Sequence, residues 1–250
     1  MKTTKTQTAL ITGGGSGMGR ASALALAKNG ISVFVADINL DAAKETAGLV
    51  QKEGGQASAF KVDIADSKSV ADLFGQVKQK AERLDMLVHT AAIAGNVAFL
   101  EDMTDADWQK MLDINLTGTF FCAREAVRAM KDNKSGRIVL FSSVASLTPT
   151  PGAIHYSAAK GAVNMFGKTL ALEASKYNIR VNVIAPGYIE TPMMRGMKGM
   201  EAFLESIAKK TPVKRFGQPE EIASLVAYLA SDEADFMTGQ VISMNGGLVI

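Results

Sequence analysis

The chain has 250 residues, 47% hydrophobic and 21% charged, and a formal net charge of +2. That is an ordinary globular composition, and the charge balance, with no long run of one sign, excludes an electrostatic case for nucleic acid or an anionic membrane surface. One cysteine and two histidines, without paired spacing, rule out an intramolecular disulfide and give no metal-site pattern.

The polar lead MKTTKTQ runs straight into TALIT (8–12), the first expected strand. That opening does not read as a signal peptide, and no apolar run approaches the ~20 residues of a membrane span, so a soluble cytoplasmic protein is expected. GGGSGMGRA follows at once, placing Gly13, Gly17 and Gly19 between the strand and a helical pattern that Gly30 stops. Glycines in that context let the backbone turn tightly and approach a pyrophosphate, which then meets the first amides of the helix. The next strand, ISVFVAD (31–37), ends in Asp37, about 20 residues past the loop, where a carboxylate accepts hydrogen bonds from adenosine ribose hydroxyls. The same carboxylate repels a 2′-phosphate, and neither Ser16 nor Ile38 supplies a cation. The expected cofactor is therefore NAD rather than NADP.

Asn39 is placed to cap the following helix and Gly54-Gly55 to end it. ASAFKVD (57–63) and LDMLVHT (84–90) read as strands three and four. Cys122 sits in a helical stretch whose apolar neighbours predict inert burial. GRIVLFSS (136–143) reads as the fifth strand. In HYSAAKGAVN, Tyr156 and Lys160 lie one helical turn apart on one face, where an ammonium would lower the pKa of the phenol below its usual ~10. His155 points roughly 100° away around that helix, against a direct catalytic role. IRVNVIAP (179–186) and GQVISMNGG (239–247) supply two more strands. Between them, 187–210 has the irregular composition of a mobile substrate loop or lid. Strand–helix alternation with nearly continuous apolar strands predicts an α/β fold, a single doubly wound parallel sheet of about seven strands covered by helices on both faces, in one domain over 1–250.

In combination these motifs resemble the short-chain dehydrogenase/reductase family. TGGGSGMG (12–19) is similar to its TGxxxGxG loop, Asn115 in DINLTG to its helix asparagine, and YSAAK (156–160) to its YxxxK. Ser143 stands thirteen residues before Tyr156, and PGYIETPM (186–193), RFGQPEEIA and TGQVISMNGG resemble further landmarks in order along the chain. The resemblance implies a Rossmann-type sheet and a catalytic set of Asn115, Ser143, Tyr156 and Lys160. Tyr156 would exchange a proton with the substrate oxygen while hydride moves to or from the nicotinamide. Ser143 would hydrogen-bond that oxygen, Lys160 would lower the phenol's pKa and bind the nicotinamide ribose, and Asn115 would hold a water relaying protons from Lys160. The resemblance also implies cofactor contacts at Ser16 and Met18, at Asp63 and Ile64 near the adenine, at Thr90, and at Ile189 and Thr191 near the carboxamide.

One departure stands out: HTAA (89–92) replaces the family's NNAG. His89, on a strand, is expected to be a satisfied core histidine. Thr90 still offers a hydroxyl, and Ala92 costs room only if its φ must be positive. Met193, Met194, Met197, Met200, Phe203 and Leu204 are placed either to form an adaptable apolar lid over a moderately apolar ketone or secondary alcohol, or to pack a helix against the body or against another subunit. The expected function is an NAD(H)-dependent oxidoreductase acting on a small alcohol or ketone. The alternative is a 3-oxoacyl thioester reductase using NADPH, with Arg124, Arg128 and Lys131 as a local docking patch. A nucleotide-sensing scaffold would be expected to have lost Ser143, Tyr156 or Lys160. Family membership further implies a homo-oligomer, most often a tetramer, with long helices near 104–132 and 153–177 at its interfaces.

Overall fold

A computed structural model describes residues 7–196 and 201–250. Its strands are β1 (Thr8–Thr12), β2 (Ser32–Asp37), β3 (Ala57–Lys61), β4 (Met86–His89), β5 (Gly136–Phe141), β6 (Ile179–Pro186) and β7 (Val241–Met244). They form a seven-stranded sheet, order β3-β2-β1-β4-β5-β6-β7, with every pairing parallel. The helices are α1 (Gly17–Lys28), α2 (Leu40–Lys52), α3 (Ser67–Lys80), α4 (Asp105–Leu112), α5 (Gly118–Met130), α6 (Ile154–Ser175), α7 (Pro192–Arg195), α8 (Glu201–Lys210) and α9 (Pro219–Ala230).

Strand periodicity distributes the core between two faces. Leu10, Phe34, Phe60, Leu87 and Leu140 point to the face covered by α3, α5 and α6. Their neighbours Ile11, Val33, Val88 and Val139 point to the face covered by α1, α2 and α9. Both faces are covered, so β1 is buried along its whole length. Truncating the fully buried Leu87 to Ala would cost about 2–5 kcal/mol. Asn39 caps α2 as expected, accepting from the amides of Asp41 and Ala42. Gln218 and Glu221 form a reciprocal capping box on α9, with Pro219 in its first turn.

The stretch expected as one helix near 104–132 is interrupted. Asp113–Thr117 form a π-helical turn between α4 and α5, an extra residue per turn of the kind often found at functional sites. The Thr119 hydroxyl donates to the Asn115 carbonyl (2.8 Å), giving that oxygen a side-chain donor within the distorted ladder. Segment 187–210 contains α7 and α8; Met197 and Met200, named for the lid, lie outside the described residues.

The sheet order reverses direction between β1 and β4. In an open parallel sheet the crevice beyond the carboxyl ends of such neighbouring strands is where ligands bind. The glycine loop leaves β1 there, and HTAA leaves β4 beside it.

Candidate active site

A cleft of about 280 Å³ opens at this switch point. Gly13, Ser16, Gly17, Met18, Gly19, Asp37, Asp63, Ile64, Thr90 and Thr191, ten of the expected cofactor contacts, line it together. The loop packs tightly on itself and on the segment after β4. Gly13 has φ +71°, and a Cβ there would lie 2.6 Å from the Ala91 nitrogen; a Cβ on Gly19 would collide with the Gly13 carbonyl oxygen. Ser16 precedes α1 without capping it through its side chain, leaving first-turn amides to face an anion.

Asp37 is fixed at the end of β2. Its Oδ2 accepts from the Gly15 amide (2.9 Å) and its Oδ1 from the Asn39 amide (3.0 Å). Arg20 turns away into a network with the Gly15 carbonyl, Thr46 and Glu45. Asp63 closes a turn by accepting from the Ala65 amide, and the Thr90 hydroxyl donates to the Thr12 carbonyl (2.8 Å), pinning the glycine loop to β4. Thr191 is buried and caps α7 by accepting from the Met194 amide. Tyr156, Lys160 and Ile189 do not line it; the buried Ile189 side chain packs into the α1/α9 core and lines a separate cavity with Tyr188 and Arg215. Ala91, Ala92, Ile93 and Ile114 also line the cleft and were not anticipated individually, although the HTAA departure marked their neighbourhood.

The proton-transfer candidates lie between the ends of β5 and α6. Ser142 is a structural tie, donating from a buried hydroxyl to the Lys160 carbonyl (2.9 Å), whereas Ser143 hydrogen-bonds the Tyr156 hydroxyl. Lys160 is 3% exposed and donates from Nζ to the Phe141 carbonyl (2.8 Å); Nζ is 5.8 Å from the centre of the Tyr156 ring. Contrary to the expectation from their spacing, the Tyr156 phenol is not acidified by Lys160. Burial pushes the Tyr156 phenol above its ordinary value, the Ser143 bond draws it partly back, and Tyr188 raises it further. Burial also lowers Lys160 to about 8. Both groups sit where solvation of a charge is lost, and burial sets the direction of each shift. Tyr188 is a neighbour of Tyr156 that sequence spacing did not disclose.

Asn115, fully buried in the π turn, clamps the loop after β4. It accepts from the Ile93 amide (2.9 Å) and donates to the Ile93 carbonyl (2.8 Å) and to Met111 sulfur (2.9 Å). Both of its amide protons are thereby engaged, leaving acceptor capacity on Oδ1 and on the main chain.

His89 is a satisfied core histidine, as expected. Thr119 spends its proton on the Asn115 carbonyl, so it accepts from His89 Nε2–H (3.1 Å); Nδ1 then accepts from the Thr12 hydroxyl (2.7 Å). Burial, with the nearby charge of Lys160, lowers the ring's pKa to about 3. Ala92, in place of the family's glycine, is also unstrained, because it is not among the non-glycine residues with positive φ. Cys122 is buried and its thiol is pushed up to about 12. Among the described residues, no helix is long and apolar enough to cross a membrane. Nor do three His, Cys, Asp or Glu side chains among them gather as a metal site.

The family model described as enoyl-(acyl carrier protein) reductase matches residues 13–249. A similar protein is the 3-oxoacyl-(acyl-carrier-protein) reductase FabG of Thermotoga maritima, 40% identical over 96% of this chain and 97% of that one. Among solved structures, 7α-hydroxysteroid dehydrogenase complexed with NADH and 7-oxo glycochenodeoxycholic acid superposes with a TM-score of 0.92 at 32% identity, covering 96% of this chain and 93% of that one. A variant actinorhodin polyketide ketoreductase with NADPH matches at 0.92 and 31%, over 99% of both chains. A full-length match to such relatives, on a seven-stranded parallel sheet with the glycine loop at its switch point, identifies the chain as a member of the short-chain dehydrogenase/reductase family.

Proposed function

We propose that the protein is an NAD(H)-dependent oxidoreductase that interconverts a small secondary alcohol and the corresponding ketone. The observation that carries the cofactor choice is Asp37, a carboxylate held on the cleft wall by two backbone amides with Arg20 committed elsewhere. It suits a ribose diol and disfavours a 2′-phosphate. The residues present fit a dinucleotide: glycines at 13 and 19 let the loop pack against Ala91 and on itself, which leaves Gly13, Gly17, Gly19 and the uncapped start of α1 on the cleft wall. When bound, the nicotinamide exchanges hydride with the substrate carbon.

The chain's own residues handle the oxygen and its proton. Tyr156, protonated because burial raises its pKa, donates its proton as a ketone oxygen gains charge and takes it back in the reverse direction. Ser143, already bonded to the phenol, orients the same oxygen and stabilises developing negative charge. Lys160 holds its charge below about pH 8 and retains two protons beyond the bond to Phe141, for a ribose hydroxyl and a water. Asn115 supplies the acceptor for that water and fixes Ile93 on the cleft wall. Thr191, the main chain at Ile189 and the described parts of the 187–210 segment close the nicotinamide side, the last as a lid.

Exposed Val97, Phe99, Leu100 and Met193 support a moderately apolar substrate. The reading includes a cytoplasmic homo-oligomer, most simply a tetramer, supported by exposed Phe120 on α5 and Met165 and Leu172 on α6. The runner-up is an NADPH-dependent 3-oxoacyl thioester reductase, favoured by the name of the Thermotoga relative. Against its docking patch, Arg124 and Arg128 share Glu125 as a counter-ion. The test is oxidation of a panel of secondary alcohols with NAD, followed at the nicotinamide absorbance, with Tyr156→Phe as control. Turnover abolished in that variant supports the reading. Turnover confined to acyl thioesters with NADPH replaces it with the runner-up.

A further inference from the structure

His155, the second residue of α6 and the neighbour of Tyr156, has no role in the chemistry above. The residue is 1% exposed, and neither ring nitrogen has a hydrogen-bond partner among the described residues. A neutral imidazole carries one N–H and one lone pair, so both polar functions are buried unpaired, an arrangement that requires an explanation. The loop after β4 lies over the ring. Gly95 has φ +73°, and a Cβ there would fall 2.6 Å from His155 Nε2.

The loop is tied down on both sides of this contact. Ile93 is clamped by Asn115, and the Ala98 amide donates to the Gly152 carbonyl (2.9 Å). Between them Asn96 Nδ2 donates to Asp107 Oδ1 (3.2 Å), whose other oxygen accepts from the Thr104 hydroxyl (2.6 Å). Asp107, on α4, is the charged group whose field reaches the ring. The loop from 91 to 99 has no ionisable side chain. Asp113 of the π turn is engaged by Gln109, and the titratable groups nearest in sequence on α6 are Tyr156 and Lys160.

We infer that His155 is a positioning residue that latches the 93–99 loop beside Tyr156 while its ring is neutral and releases that loop when the ring takes up a proton. A buried imidazolium cannot stay unpaired. Asp107 is its available counter-charge, and reaching it displaces Asn96, the middle tether of the loop. The two arrangements exchange one polar contact for another, as a bistable element requires. Calling this loop a wall of the substrate site rests on the reading of Tyr156 above; the latch does not.

The sign follows from linkage. Burial lowers the ring's pKa in the latched form below the ordinary 6.5, while Asp107 raises it partly back. The latch is therefore fully stable above pH 6.5 and weakens as pH falls from there toward the latched pKa. The opening constant rises about tenfold per pH unit in that window.

The chain has two histidines and one tryptophan, Trp108, which adjoins Asp107. With His89 lowered to about 3, ring-proton NMR of the full chain between about pH 4.5 and 7.5 follows His155 alone. Amide exchange at 93–99, corrected for intrinsic pH dependence, is expected to accelerate about tenfold per pH unit over the same titration. Trp108 emission should change with it. H155Q should make exchange at 93–99 independent of pH; D107N, which leaves the ring in place, should shift both titrations to lower pH together. Flat exchange in the parent protein, or an identical pH dependence in H155Q, overturns the latch. Loss of turnover in Tyr156→Phe bears on the enzyme reading alone, so the two failures are distinguishable.

Discussion

Acid should unfold this protein partly through His89. The ring is neutral and buried, donating to Thr119 and accepting from Thr12, with Lys160 nearby. A second proton on Nδ1 would turn an acceptor into a donor facing the Thr12 hydroxyl, inside a core where charge is poorly solvated. The folded pKa of about 3 lies below the ordinary 6.5, so the stabilisation is complete above pH 6.5 and is lost as pH falls toward 3. At pH 4 the folded form is disfavoured by some 2.5 pKa units relative to the unfolded one, or about 3 kcal/mol. Urea unfolding of the parent and of His89→Asn, at pH 7 and pH 4, isolates this contribution, because carboxylates and His155 are common to both proteins. The parent should lose about 3 kcal/mol more than the variant over that interval. Equal losses in the two proteins would refute the buried neutral ring.

Other outcomes follow from the same geometry. Difference absorbance titration of the cofactor-free protein against Tyr156→Phe should show no tyrosinate from Tyr156 below its ordinary pH of about 10, since burial raises that phenol; a component near pH 7 would restore the simpler view that Lys160 acidifies it. Gly19→Ala should destabilise the fold by about 1–3 kcal/mol and abolish nicotinamide binding, because the new methyl meets the Gly13 carbonyl oxygen; calorimetry and fluorescence titration read the two effects. Cys122 should resist thiol reagents in the native protein and react at once in urea, and rapid native labelling would contradict its burial at a pKa of about 12.

The strands were legible because apolar β-rich runs carry their own period: TALIT and IRVNVIAP became β1 and β6 with their bounds unchanged. The crevice was legible because Gly13, Gly17 and Gly19 follow a strand and open a helix. What could not be read were effects that depend on partners far along the chain. The π turn rests on contacts Asn115 makes to Ile93, 22 residues away. The sign of the Tyr156 shift depends on burial, and Lys160's contact with the Phe141 carbonyl depends on where β5 ends. His89 could be recognised as a core residue from its strand, but its bond to Thr119 spans 30 residues.

Direct titration with NADH and NADPH, followed by nicotinamide fluorescence, tests the account most sharply. With Asp37 fixed on the cleft wall, NADH should bind about 10–100-fold more tightly, a difference of about 1.4–2.8 kcal/mol, and Asp37→Ser should largely erase it. Tighter binding of NADPH by the parent protein would contradict the role given to Asp37 and bring the acyl-thioester reductase forward.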